Sequence, residues 1–169
     1  MFWVFFIVCL LCFGVRTAYN CLKCRQQESS AIRWVNTAVY LNMAILWGAW
    51  FSMNFWDPVR NTLPTWLRIL GLLFFIAGIL LFVLGDTAMR GLAQSGKLVT
   101  KGVFSKIRHP VYLGFILWVI GFPVFMQSML TLASSVIWII FFLYWKHQEE
   151  LELERKYPEY RDYKRSTWF

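Results

Sequence analysis

Five apolar runs recur along this chain, and the last two lie so close together that a single arrangement can join them. The runs cover about residues 2–19, 34–56, 67–84, 111–126 and 130–145. Gln127-Ser128-Met129 is all that separates the fourth from the fifth. Three residues suffice to reverse the chain between antiparallel helices, and they leave no room for a longer connection. The last two runs therefore read as a helical hairpin. Apolar runs of this length and number exceed what soluble helix faces need, so the class is an integral membrane protein.

Composition agrees with that class. The chain is 59% hydrophobic and 15% charged, where a soluble domain is nearer a quarter charged. The expected fold is all-α, an integral membrane bundle of five transmembrane helices forming one domain over 1–169. Residues 1–86 form a three-span wall, and 97–163 carry a loop, the hairpin and a polar tail. No G-x-G-x-x-G or G-x-x-x-x-G-K-[ST] is present, so a Rossmann or P-loop nucleotide site is not supported. The net charge of +8 sits beside the apolar runs, which points to anionic lipid head groups rather than nucleic acid. No obligate protein partner is indicated. The first run lacks a charged start and a small-residue cleavage site, and Arg16 follows its apolar part, so it reads as a span rather than a signal peptide.

Charge sets the expected orientation. With the N-terminus outside, three clusters fall on the cytoplasmic side: Arg16, Lys23, Arg25 and Arg33; Arg90, Lys97, Lys101, Lys106 and Arg108; Lys146, Arg155, Lys156, Arg161, Lys164 and Arg165. Of the 17 basic residues, Arg60 and Arg68 alone fall outside. The same orientation puts Arg108-His109 and Glu149-Glu150 on one face of the membrane.

Those two charged ends are the candidate chemistry. Pro110 suits the first turn of a helix, where its missing N–H costs nothing. Run four would then open with free N–H groups and the side chains of Arg108 and His109 at its rim, a place for anionic or polar groups. The plainer reading is a basic anchor with a proline cap. Glu149 and Glu150 at a membrane boundary must be solvated or paired. They suit a cationic group or Arg108; the plainer reading is a solvated helix end with Glu152 and Lys156 as an i,i+4 pair. Lys146 shares a helix face with Glu150. Tyr157, Tyr160 and Tyr163 read as an interfacial belt, or as a lid over the site. Cys21 and Cys24 with His109 and His147 make a weak zinc set, and no metal site is expected.

Taken together, Leu98-Val99-x-x-Gly102-Val103-Phe104, Arg108-His109-Pro110-x-Tyr112-x-Gly114, Trp118, Gly121, Glu149-Glu150 and Tyr160-x-x-Tyr163 resemble the isoprenylcysteine carboxyl methyltransferase family. That group is related to phospholipid methyltransferases. The resemblance covers about the last 75 residues without a gap; upstream, only the hydropathy pattern is similar. It implies S-adenosylmethionine as cofactor, bound by the C-terminal hairpin without a Rossmann domain. It also implies cofactor contacts at Gly96, Lys97, Leu98, Val99, Phe104, His109, Pro110, Val111, Tyr112 and Glu149. Substrate contacts fall on Lys146 and Glu150, and catalytic roles on Arg108 and Glu150. Phe104 stands where the family usually has tyrosine. Lys146 stands where eukaryotic members have arginine, which keeps the charge but loses the bidentate grip on a carboxylate.

The expected activity is methyl transfer to a lipid-like or prenylated substrate entering from the bilayer, first of all carboxyl methylation of an isoprenylcysteine. Transfer to a phospholipid amine or a thiol is the alternative. An NADPH-dependent reductase and a non-catalytic membrane scaffold are the rivals from other classes.

Overall fold

A computed structural model of the chain describes residues 1–25, 33–92 and 98–169, with side chains for 1–21, 37–89 and 98–169. It is built of helices, with no strand among the described residues. In chain order these are α1 (Phe2–Arg25), α2 (Arg33–Phe55), α3 (Thr65–Leu92), a short 3-10 turn (Gly102–Ser105), α4 (Pro110–Met126), α5 (Met129–Lys156) and α6 (Tyr160–Ser166).

The hairpin of α4 and α5 forms as the three-residue connection requires. Pro110 occupies the first turn of α4, with His109 at the N-cap position. The helix ends where Gln127 turns left-handed at φ 61°, its N–H bonding back to the carbonyls of Pro123 and Val124. α5 begins two residues later and is capped from a distance. Asp57, in the loop after α2, accepts from the backbone N–H and hydroxyl of Thr131 at 2.8 and 2.9 Å. A carboxylate at a helix N-terminus satisfies orphan donors and opposes the dipole. Arg60 donates to the carbonyls of Asn54 and Phe55 at 2.7 and 3.0 Å, closing the C-terminal end of α2. One loop thus finishes α2 and starts α5.

α3 and α4 pack backbone to backbone. Glycines repeat every seven residues at 71, 78 and 85 on α3, and again at 114 and 121 on α4. A Cβ added at Gly78 would lie 2.6 Å from the Gly114 carbonyl oxygen, and one at Gly121 would lie 2.6 Å from that of Gly71. Small residues at such intervals let membrane helices meet closely, where dispersion and not hydrophobic exclusion drives association.

α1 meets α5, and α2 meets α4, through aromatic rings. Phe13 stacks on Trp138 at 4.9 Å and on Trp145 at 5.2 Å, and Trp47 of α2 stacks on Trp118 of α4 at 4.8 Å. Trp50, Trp138 and Phe142 are fully enclosed. The outward faces are apolar too. Trp3, Ile7, Leu11 and Val15 on α1, and Val136 and Ile140 on α5, are exposed. So wide an exposed apolar surface suits lipid and not water. α1, α3 and α5 are long and apolar enough to cross a bilayer, and α4 is apolar but 17 residues long. The molecule is an integral membrane protein.

Helices exceed the hydropathy pattern, most of all at the C-terminal end. Run five loses its apolar character at Trp145, yet α5 continues to Lys156, because Lys, Gln, Glu and Leu are strong helix formers. Tyr157-Pro158 then stops it. The seven-residue α6 lies in a stretch that carries no apolar run.

Candidate functional site

Glu150 is where the two charged ends meet. It is 7% exposed, and both of its oxygens are occupied. Oε1 accepts from Arg108 Nε at 3.1 Å and lies 3.2 Å from His109 Nε2 and 3.9 Å from Lys146 Nζ. Oε2 lies 2.9 Å from Lys164 Nζ, which also reaches Glu154 at 3.0 Å. These hydrogen bonds to carboxylates push the Lys164 ammonium upward from its ordinary value.

His109 is 4% exposed and neutral. Burial lowers its imidazole from 6.5 to about 4; the Glu150 charge opposes this, while Lys146 and Arg108 add to it. A neutral ring still donates one N–H, so the tautomer carrying hydrogen on Nε2 satisfies Glu150 without an ion pair. The Tyr160 hydroxyl lies 3.4 Å from the same nitrogen.

The tail closes over this cluster. Arg108 donates through one terminal nitrogen to the carbonyls of Lys164 and Thr167 at 3.2 and 3.1 Å. Its backbone N–H bonds to the Trp168 carbonyl, and the Trp168 N–H to the Lys106 carbonyl, both at 2.9 Å. Tyr163 donates to the Phe104 carbonyl at 2.6 Å. Lys146 places its ammonium 4.2 Å from the centre of the Phe169 ring. Tyr160 is fully buried, so this residue belongs to the site and not to an interfacial belt. Burial pushes the Tyr160 and Tyr163 hydroxyls upward, leaving both neutral hydrogen-bonding groups.

Beside the ion cluster lies a cavity of about 230 Å³. Phe104, His109, Pro110, Val111, Tyr112 and Glu149 line it, six of the residues singled out from sequence. Arg16, Met43, Met89, Phe115 and Trp145 complete the wall. A second space of about 290 Å³ shares Arg16, Tyr112, Trp145 and Glu149 with the first and adds Asn20, Gln148, Glu152 and Leu153. The first chamber is mostly apolar and the second mostly polar. Tyr112 and Glu149 stand at the boundary between them, lining both.

The adjacent glutamates divide between the two regions. Successive helical residues point about 100° apart, so Glu150 turns into the ion cluster while Glu149 faces the cavity. Arg108, Lys146 and Glu150 meet one another and line neither chamber. Leu98 and Val99 are half-buried ahead of the 3-10 turn and line neither chamber. Gly96 and Lys97 lie outside the described residues, as does the side chain of Cys24. Arg16 and Trp145 were missed as site residues. In the sequence Arg16 reads as a flanking charge, although a cation close to an apolar run is itself a signal.

A family model described as "Protein of unknown function (DUF1295)" matches residues 2–167. The chain is 25% identical over 147 residues to a protein-S-isoprenylcysteine O-methyltransferase of Dictyostelium discoideum, covering 79% of this chain and 61% of that one. It is 32% identical over 124 residues to a protein-S-isoprenylcysteine O-methyltransferase of Rattus norvegicus, covering 66% of this chain and 42% of that one. The chain thus spans about half the length of these relatives. No solved structure matches it. With helices, hairpin and tail all inside the matched range, the chain belongs to the DUF1295 family.

Proposed function

We propose that this protein is an S-adenosylmethionine-dependent methyltransferase acting on an amphiphile within the bilayer, with the carboxylate of an isoprenylcysteine or an analogue as its acceptor. The observation that carries the reading is the cavity. Phe104, the His109–Tyr112 segment and Glu149 come from separate stretches, and all face one space beside a membrane-spanning bundle. The residues fit such a cofactor by their chemistry. Tyr112, Phe104 and Trp145 offer aromatic faces, and Glu149 offers a negative charge, which together suit a cationic ligand.

S-adenosylmethionine, when bound, supplies a methyl group on a cationic sulfur. A carboxylate acceptor is already ionised near neutral pH and needs no base, so the protein's task is to position it. Tyr112, Phe104, Trp145 and Glu149 would hold that cofactor, which would supply a methyl group to the carboxylate oxygen. His109, neutral and held by Glu150, serves as a hydrogen-bonding wall and not as a charge. Arg108 and Glu150 act in this reading by fixing that ring and the tail, since both are engaged within the protein. Lys146, 3.9 Å from Glu150 at the edge of the cluster, is the cation assigned to the acceptor carboxylate in this reading.

We read α2 and α4 as the remaining two spans, giving five, with the N-terminus outside and the C-terminus in the cytoplasm. Cofactor then enters from water, and the acceptor sideways from lipid. Transfer to a phospholipid amine or a thiol is the second reading, favoured by the carboxylate of Glu149, which suits an amino group.

The test is ligand binding to purified protein in detergent. S-adenosylmethionine should bind and NADPH should not. His109→Ala and Tyr112→Phe should weaken binding about tenfold, the scale of one lost buried hydrogen bond. Unchanged affinity in both variants would remove the assigned pocket. A labelled methyl group followed into prenylcysteine analogues, phospholipids and thiols would then name the acceptor; transfer to none of them would sink the enzyme reading.

A further inference from the structure

Arg16 has a position that the functional reading above leaves unused. It lies inside the apolar stretch of α1 that is fit to span a bilayer, yet it lines both chambers. Charged groups in such segments are costly and mark functional interiors when they face a cavity. The centre of the Tyr19 ring lies 5.7 Å from its guanidinium. Among the described residues, no carboxylate lies within 4.0 Å of it, although six such pairs occur elsewhere. Across the polar chamber α5 presents Glu149 and Glu152, one helical turn apart.

The polar chamber therefore combines one cation with two carboxylates. A purely anionic ligand would face two repulsive groups there, and a purely cationic one would face Arg16. A ligand with both charges on neighbouring atoms satisfies all three. The α-carboxylate and α-ammonium of an amino acid are attached to one carbon. We propose that Arg16 holds the carboxylate of the methionine moiety of S-adenosylmethionine, while Glu149 and Glu152 take its ammonium group. The amino-acid end then occupies the polar chamber between α1 and α5. The adenosine end occupies the aromatic chamber beside Phe104, with Tyr112 and Trp145 common to both. This rests on the methyltransferase reading, and it adds a cofactor contact from the half of the chain that carries no family motif.

The test compares two nucleosides on the full chain in detergent. S-adenosylhomocysteine keeps the amino-acid end and lacks the sulfonium; methylthioadenosine lacks the amino-acid end altogether. The readout is the ratio of their dissociation constants by calorimetry, which cancels any loss of active protein. Wild type should favour S-adenosylhomocysteine. Arg16→Ala should weaken it about ten- to a hundredfold, the scale of a lost charge-assisted contact, and leave methylthioadenosine unchanged. Arg16→Lys should recover part of the difference, and Glu152→Gln should lower the ratio on its own. If Arg16→Ala does not survive purification, Arg16→Gln takes its place. A ratio unchanged by these Arg16 variants would overturn the proposal and leave Arg16 to the acceptor or to lipid. Wild type binding neither nucleoside would instead remove the cofactor reading itself.

Discussion

At Glu150 one carboxylate stands among three cations and an imidazole. Removing its charge leaves Arg108, with a side chain 10% exposed, facing no counter-ion. Breaking a buried pair from one side costs about 3–5 kcal/mol. Glu150→Gln should therefore loosen the tail, and hydrogen exchange at residues 160–168 should accelerate while α3 stays protected. His109 gives a pH dependence of definite sign. Its folded value, about 4, lies below the ordinary 6.5, so the unfolded chain takes up a proton first. Its contribution is complete above about 6.5 and is lost as pH falls toward 4, on the order of 3 kcal/mol in all. Thermal denaturation in detergent between pH 7 and 4 should show that loss, and it should be shallower in His109→Gln. An equally steep loss in the variant would mean another group is responsible.

The packed pair of α3 and α4 is the most demanding of the elements. Gly121 has no room for a methyl group, since the Gly71 oxygen and Phe75 nitrogen would both stand 2.6 Å from it. Gly121→Ala must push the helices apart, at a cost of about 1–3 kcal/mol, and should lower the melting temperature in detergent. Gly48 in α2 is the control, with nothing within 4 Å of an added Cβ. Gly48→Ala should be neutral or stabilising by up to about 1 kcal/mol, because alanine is the better helix former. Equal effects at both sites would argue against the close helix contact. Because α4 also carries His109 and Tyr112 at its start, this contact holds one wall of the cavity in place.

For the whole molecule, charge makes a definite forecast of orientation. Arg60 and Arg68 stand apart from the other 15 basic residues. A cysteine placed at Asn61 should react with an impermeant maleimide from outside intact cells. One at Ser166, near the ion cluster, should react only after the membrane is opened. The opposite labelling pattern would invert the topology and turn the ion cluster away from the cytoplasm.

The hairpin, the proline-led start of α4 and the helical bundle were legible in the residues alone, because turn length, proline chemistry and hydropathy act over neighbouring positions. The pairing of Arg108 with Glu150 followed from the hairpin, since antiparallel helices joined by three residues must bring their far ends together. Three things depended on the tertiary structure. Glu149 and Glu150 are chemically identical, and the rotation of α5 against its neighbours decides which one meets the cavity. The tail docks largely through the backbone carbonyls of Lys164, Thr167 and Trp168, a group every residue carries and no motif can announce. Arg16 reaches the site because α1 packs its Phe13 face against Trp138 and Trp145, a choice made by ring contacts more than a hundred residues apart in sequence.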